Sequence, residues 1–123
     1  MKVYLAGGMK NNWRGIVKYR LPDVVFLDPC RHELQVAEQY TIWDLAAVRE
    51  CDAVLAYMEV DNPSGIGLAL EVGYARALGK VIVCVDGKPE DKYLGMVRCA
   101  ADIVVGTLDE AVKFIDRLAL CYV

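Results

Sequence analysis

Asp61-Asn62-Pro63-Ser64-Gly65-Ile66-Gly67-Leu68-Ala69-Leu70-Glu71-Val72-Gly73-Tyr74-Ala75-Arg76-Ala77-Leu78-Gly79-Lys80 is the stretch that decides how this chain folds. Its first five residues are turn formers. From Ile66 the residues suit a helix, which stops at Gly79, a residue type favoured in left-handed C-terminal caps. An apolar run, Val81 to Val85, follows at once, and another, Ala53 to Met58, lies just before. Strand, loop, helix, strand is the unit that builds parallel sheets. In the first two helical turns a single charge, Glu71, stands among Ile66, Leu68, Leu70, Val72 and Tyr74. It is either a partner for the helix dipole or a reactive group. The dipole effect fades beyond the first turn, and a carboxylate on an apolar face is costly unless paired or used.

The same alternation extends in both directions. Val3 to Ala6 reads as a first strand, followed by Gly7-Gly8. These glycines make either an ordinary tight turn or a place where backbone approaches a ligand. Asn12 to Tyr19 reads as a helix with Trp13, Ile16 and Val17 on one face, and Val24 to Leu27 as the second strand. Leu34 to Tyr40 has no clear period. Thr41 opens a helix running to about Glu50, with Thr41 and Asp44 fitting a capping box and Leu45 and Val48 facing inward. Beyond Val85, Lys92 to Cys99 is expected to be a short helix and Ile103 to Val105 a fifth strand. Thr107 caps a last helix, with Glu110 three residues on. The expectation is one domain over residues 1–123, of α/β class: a flavodoxin-like three-layer sandwich whose five-stranded parallel sheet has the order 2-1-3-4-5.

Composition narrows the function. With 56% hydrophobic and 25% charged residues, the chain can bury a full core. A formal net charge of −3 and no basic run argue against a nucleic-acid polymer as partner. The five cysteines form no C-x-x-C pair and there is one histidine, so no metal site is expected, and reduced thiols suit a cytoplasmic protein. No apolar segment approaches the length of a membrane span, and the chain enters a strand directly, so neither an anchor nor a leader is expected.

In such a sheet, ligands bind beyond the C-terminal strand ends where the strand order reverses. That edge carries Gly7 and Gly8, the loop Asp28 to His32, and the loop Asp61 to Gly67. Tyr4 can point toward the same hollow. Arg31 and His32 are either solvated loop residues or substrate contacts. Gly65-Ile66-Gly67 fits a dinucleotide fingerprint poorly, since Leu70 occupies the third glycine position and the loop follows the third strand. No P-loop is present, and Ser64 lacks a G-x-S-x-G setting.

Taken together, Val3-Tyr4-Leu5-Ala6-Gly7-Gly8-Met9, Trp43-Asp44-Leu45, and Gly67 to Ala75 followed by Leu78-Gly79-Lys80 resemble the nucleoside 2-deoxyribosyltransferases and the related 2′-deoxynucleoside 5′-monophosphate N-glycosidases. The resemblance covers roughly residues 3 to 105. It implies that Glu71 is a nucleophile toward C1′ of deoxyribose, that Tyr4 orients it, and that Asp44 stands beside the reacting sugar and base, against the capping reading. Gly7 and Gly8 would line the pocket, with Arg31 and His32 near the base. Where the family often has Asp or Ser six residues before the nucleophile, this chain has Gly65, with Ser64, Asn62 and Asp61 nearby. Where the monophosphate hydrolases place Ser and Arg after the first strand, it has Gly8 and Lys10. The family commonly completes its pocket from an adjacent protomer, so Leu94, Met96 and Arg98 become candidates for that edge of a homo-oligomer. The implied activity is transfer of deoxyribose between nucleobases without a cofactor. The alternatives are hydrolysis of a deoxynucleoside monophosphate and a non-catalytic nucleotide-binding module.

Overall fold

Why the apolar runs become strands is visible in how they are covered. A computed structural model describes residues 1–123. The strands are β1 (Lys2–Gly7), β2 (Val25–Leu27), β3 (Ala53–Met58), β4 (Val81–Asp86) and β5 (Ile103–Val105). All pair in parallel in the order β2-β1-β3-β4-β5. A parallel strand buried on both faces has no polar side, hence the uncharged runs Ala53 to Met58 in β3 and Val81 to Val85 in β4. The helices are α1 (Trp13–Arg20), α2 (Ala37–Glu50), α3 (Ile66–Ala77), α4 (Gly95–Ala100) and α5 (Leu108–Leu118).

Strand alternation divides the core in two. Val3, Leu5, Leu55 and Val83 face one layer with Trp13, Val17, Ala111 and Ile115 from α1 and α5. Tyr4, Ala6, Val54, Ile82 and Cys84 face the other with Val48, Leu68, Val72 and Val97 from α2, α3 and α4. The parity of β1 therefore sends Tyr4 toward α2 and α3, where the two candidate carboxylates lie. No helix is long and apolar enough to cross a membrane.

Several local expectations hold. Gly79 adopts φ +72, and its N–H bonds to the Arg76 carbonyl while that of Lys80 bonds to Ala75, a Schellman closure of α3. Thr107 accepts from the Glu110 amide and caps α5, although the Glu110 carboxylate takes the Thr107 hydroxyl rather than its backbone N–H. Lys92 to Cys99 is not one helix but a 3-10 turn, Lys92–Leu94, leading into α4.

Two further expectations fail. The second helix begins at Ala37, so Thr41 and Asp44 lie inside it, and the N-cap, Val36, makes no side-chain bond. The capping box at Thr41 does not exist, which releases the Asp44 carboxylate. On α1, Ile16 is 52% exposed and Arg14 takes the buried position with Trp13 and Val17.

Candidate active site

Three helices place a charged residue on their apolar stripe, and all three charges meet at one edge of the sheet. On α3 the buried residues are Leu68, Glu71, Val72 and Ala75, so Glu71 occupies a core position of a 3.6-residue repeat. On α2, Asp44 precedes buried Ala47 and Val48 by three and four residues. On α1, Arg14 precedes Val17 by three. Together with Tyr4, these side chains line a cleft of about 290 Å³.

Tyr4, fully buried, donates its phenol to Glu71 Oε2. Burial pushes the phenol well above its ordinary value, with the Glu71 charge adding to the effect, so Tyr4 remains the donor. Glu71 is only 9% exposed. Burial, with a smaller push from nearby Asp44, raises its carboxyl to about 7 against the Tyr4 hydrogen bond. The bond occupies one carboxylate oxygen and leaves Oε1 for the cleft. Asp44 is also raised by burial, opposed mainly by a hydrogen bond to His32, whose Nε2 lies 3.1 Å from Oδ1.

Arg14 is the cation beneath this group, and its charge opposes the rise at Tyr4, Glu71 and Asp44 alike. Its guanidinium donates to the carbonyls of Leu5 (3.1 Å), Gly7 (3.0 Å) and Gly8 (2.6 Å). Those bonds pin the turn after β1. Gly7 has φ +149, and a Cβ there would stand 2.7 Å from the Tyr57 carbonyl. A Cβ on Gly8 would lie 2.9 Å from Glu59 Oε1. Gly7 therefore needs glycine for packing as well as lining the cleft, whereas at Gly8 the Glu59 side chain would have to shift.

The cleft brings together Tyr4, Gly7, Gly8, Asp44, Asn62, Ser64, Gly65 and Glu71 from the sequence reading. Gly65, with φ +83, starts α3 in a left-handed conformation. His32 lines an adjoining hollow of about 710 Å³ that shares Met9, Pro29, Tyr40 and Asp44 with the cleft. Arg31 and Asp61 are exposed and outside the cleft lining. Lys10 borders a separate hollow alongside Arg14 and Lys18. Leu94 is buried in its own chain's core and Met96 is 87% exposed on α4. Arg98 is engaged within its own chain by Asp86 at 2.7 Å and by the carbonyls of Asp91 and Lys88. Sequence reasoning missed Arg14, Met9 and Tyr40. For Arg14 a signal was present, since it shares the apolar stripe of Val17 at helical spacing.

A family model described as nucleoside 2-deoxyribosyltransferase-like matches residues 1–88. No curated protein matches the chain significantly. Among solved structures, a 2-deoxyribosyltransferase from Leishmania mexicana aligns at 24% identity over 92% of this chain and 95% of its own, with a TM-score of 0.73. A CMP N-glycosidase from Clostridium botulinum aligns at 22% identity over 94% and 98%, with a TM-score of 0.67. A 2-deoxyribosyltransferase from Bacillus psychrosaccharolyticus aligns at 21% identity over 91% and 90%, with a TM-score of 0.71. At these identities the structural likeness bears on the fold, which they share.

The raised Glu71 carboxyl has a consequence for stability. A carboxyl whose folded pKa lies above its unfolded one contributes fully below the unfolded value of 4.5 and loses that contribution as pH rises through about 7. Glu71→Gln keeps an acceptor for Tyr4 and removes the charge. Thermal unfolding is expected to show this variant more stable than wild type at about pH 8, by about 2–3 kcal/mol, with the gain vanishing below about pH 4. A gain that does not depend on pH would contradict the assignment.

Proposed function

The chain belongs to the nucleoside 2-deoxyribosyltransferase-like family, and we propose that it breaks the N-glycosidic bond of a 2′-deoxynucleoside and passes the sugar to another nucleobase. The observation that carries this reading is a carboxyl buried at the foot of a cleft, bonded through one oxygen to Tyr4, with a second carboxyl, Asp44, lining the same cleft. In the first step Glu71 Oε1 forms a bond to C1′ as the C1′–N bond breaks. The electron pair leaves with the base, which takes a proton from Asp44. In the second step the nitrogen of an incoming base attacks C1′, its proton returns to Asp44, and the Glu71 carboxylate departs. Each step passes through an oxocarbenium-like transition state, as in a retaining glycosidase. The Glu71 value of about 7 supports this role, since an ionised fraction is present at neutral pH in a site too dry to solvate it well. A module that only bound nucleotides would have no use for so costly a carboxylate.

Hydrolysis of a deoxynucleoside 5′-monophosphate is the second reading. Lys10 borders a hollow of about 360 Å³ that shares Met9 and Arg14 with the cleft, and a phosphate attached to the sugar suits that lysine, since Arg14 and Lys18 there are paired with Asp28. Water would then take the part of the second base. The five cysteines are free, which supports a reducing, cytoplasmic setting.

The reading includes a homo-oligomer built on the outward face of α3. Ile66 is 77% and Leu70 57% exposed, and Gly67 and Gly73 stand in the helix with nothing of their own chain within 4 Å of a Cβ. Helical glycine costs about 1 kcal/mol relative to alanine, and nothing in the monomer requires it there. Close approach of a second copy supplies a reason, and Gly67 and Leu70, which line the cleft, would bring that copy to its rim.

Three experiments test the proposal. Incubation with deoxyinosine and free adenine is expected to yield deoxyadenosine on chromatography, while free base and sugar phosphate from deoxynucleoside monophosphates would mark the hydrolase instead. Glu71→Ala is expected to lower turnover by about 10³-fold or more, and retained turnover would contradict the mechanism. Gly73→Arg, which the lone chain has room for, is expected to halve the mass seen by sedimentation. An unchanged mass would place the interface elsewhere.

A further inference from the structure

We propose that His32 is a positioning residue that holds the Asp44 carboxyl by Oδ1 and leaves Oδ2 as the oxygen that delivers a proton to the departing base. The inference rests on the enzymatic reading above. The main chain sets the ring: the N–H of Leu34 donates to Nδ1 at 2.9 Å. A ring nitrogen that accepts carries no proton, so the imidazole proton is on Nε2. Nε2 stands 3.1 Å from Asp44 Oδ1 and donates to it. The His32 side chain is 9% exposed and packs edge-on against Trp43, with ring centroids 4.8 Å apart.

The chain goes to some cost to keep this arrangement. Between His32 and Leu34 lies Glu33 at φ +55, the one non-glycine residue with positive φ. A left-handed non-glycine residue costs about 1–2 kcal/mol. That turn brings the Leu34 amide back onto Nδ1.

The chemical result is a division of labour between the two oxygens of Asp44. Oδ1 accepts from His32, so the acidic proton resides on Oδ2. As the C1′–N bond breaks, its electron pair stays on the base nitrogen, and the proton on Oδ2 moves to that nitrogen. The Nε2–H bond then stabilises the carboxylate left behind. The other charged or titratable groups facing Asp44 are Arg14 from α1, which acts on it, and Glu71 from α3 and Tyr4 from β1, which its charge acts on. His32 alone among these bonds to it directly.

Two variants separate positioning from packing. His32→Phe keeps a ring against Trp43 and removes the donor, whereas His32→Gln keeps an amide N–H near the place of Nε2. With a neutral deoxynucleoside, His32→Phe is expected to lower kcat by about 10²-fold with little change in KM, and His32→Gln to recover most of it. With 7-methyl-2′-deoxyguanosine, whose cationic base departs without needing a proton, the loss in His32→Phe is expected to stay under about threefold. Equal losses on both substrates, or an unchanged kcat, would overturn the proposal. Nitrogen-15 spectra of the wild-type neutral ring need no turnover. They are expected to show the Nε2–H tautomer, and an Nδ1–H tautomer would overturn it as well. A wild type inert toward both substrates would instead refute the enzymatic reading, and the spectra would still decide whether His32 donates to Asp44.

Discussion

The hydrogen bond from the Tyr4 phenol to Glu71 is the contact that the rest of the site is arranged around. It joins the middle of a central strand to the apolar stripe of a helix on the covering layer. For it to form, β1 must present Tyr4 rather than Val3 or Leu5 to α3, and α3 must turn Glu71 inward with Leu68 and Val72. A one-residue slip in β1 would send the phenol to the opposite face of the sheet. An ionised carboxyl buried without a partner costs several kcal/mol. The Tyr4 bond offsets part of this and leaves the remainder as a carboxyl held near 7.

Around that contact, charge is balanced by position. Two carboxyls and two phenols, Tyr4 and Tyr40, share the cleft with one buried guanidinium, and no other cation lines it. Arg14 spends its donors on the carbonyls of Leu5, Gly7 and Gly8, so the same residue that counters the acids also fixes the turn that walls the cleft. Asp28, 5% exposed, anchors the assembly from the end of β2 through Lys18 and Arg14. The site is thus continuous with the packing of the sheet's edge rather than carried on a detachable loop.

The legible parts of the sequence were those with a strong physical period. Parallel strands buried on both sides have to be apolar throughout, so β3 and β4 stood out, and with the helix between them they implied a parallel sheet. Glu71 stood out because a charge interrupted an apolar stripe. The start of α2 did not, because Val36 offers no capping side chain and the first turn is exposed. Thr41 and Asp44 carried a false start signal one turn too late. Arg14, whose spacing from Val17 was a signal, was passed over for another reason. In a helix of eight residues, apolar spacing allowed Ile16 as an inward residue, and what selects Arg14 instead is a set of backbone carbonyls on a neighbouring turn. The engagement of Arg98 by Asp86 and two carbonyls depends on loop geometry in the same way.

A covalent bond between Glu71 and the sugar is the step on which the proposed chemistry depends. Rapid acid quench of the protein with excess deoxynucleoside, followed by peptide mass mapping, tests this most directly. The predicted result is one added 2-deoxyribosyl group on the peptide containing Glu71, absent in Glu71→Gln. An adduct on another residue, or none while turnover continues, would contradict it.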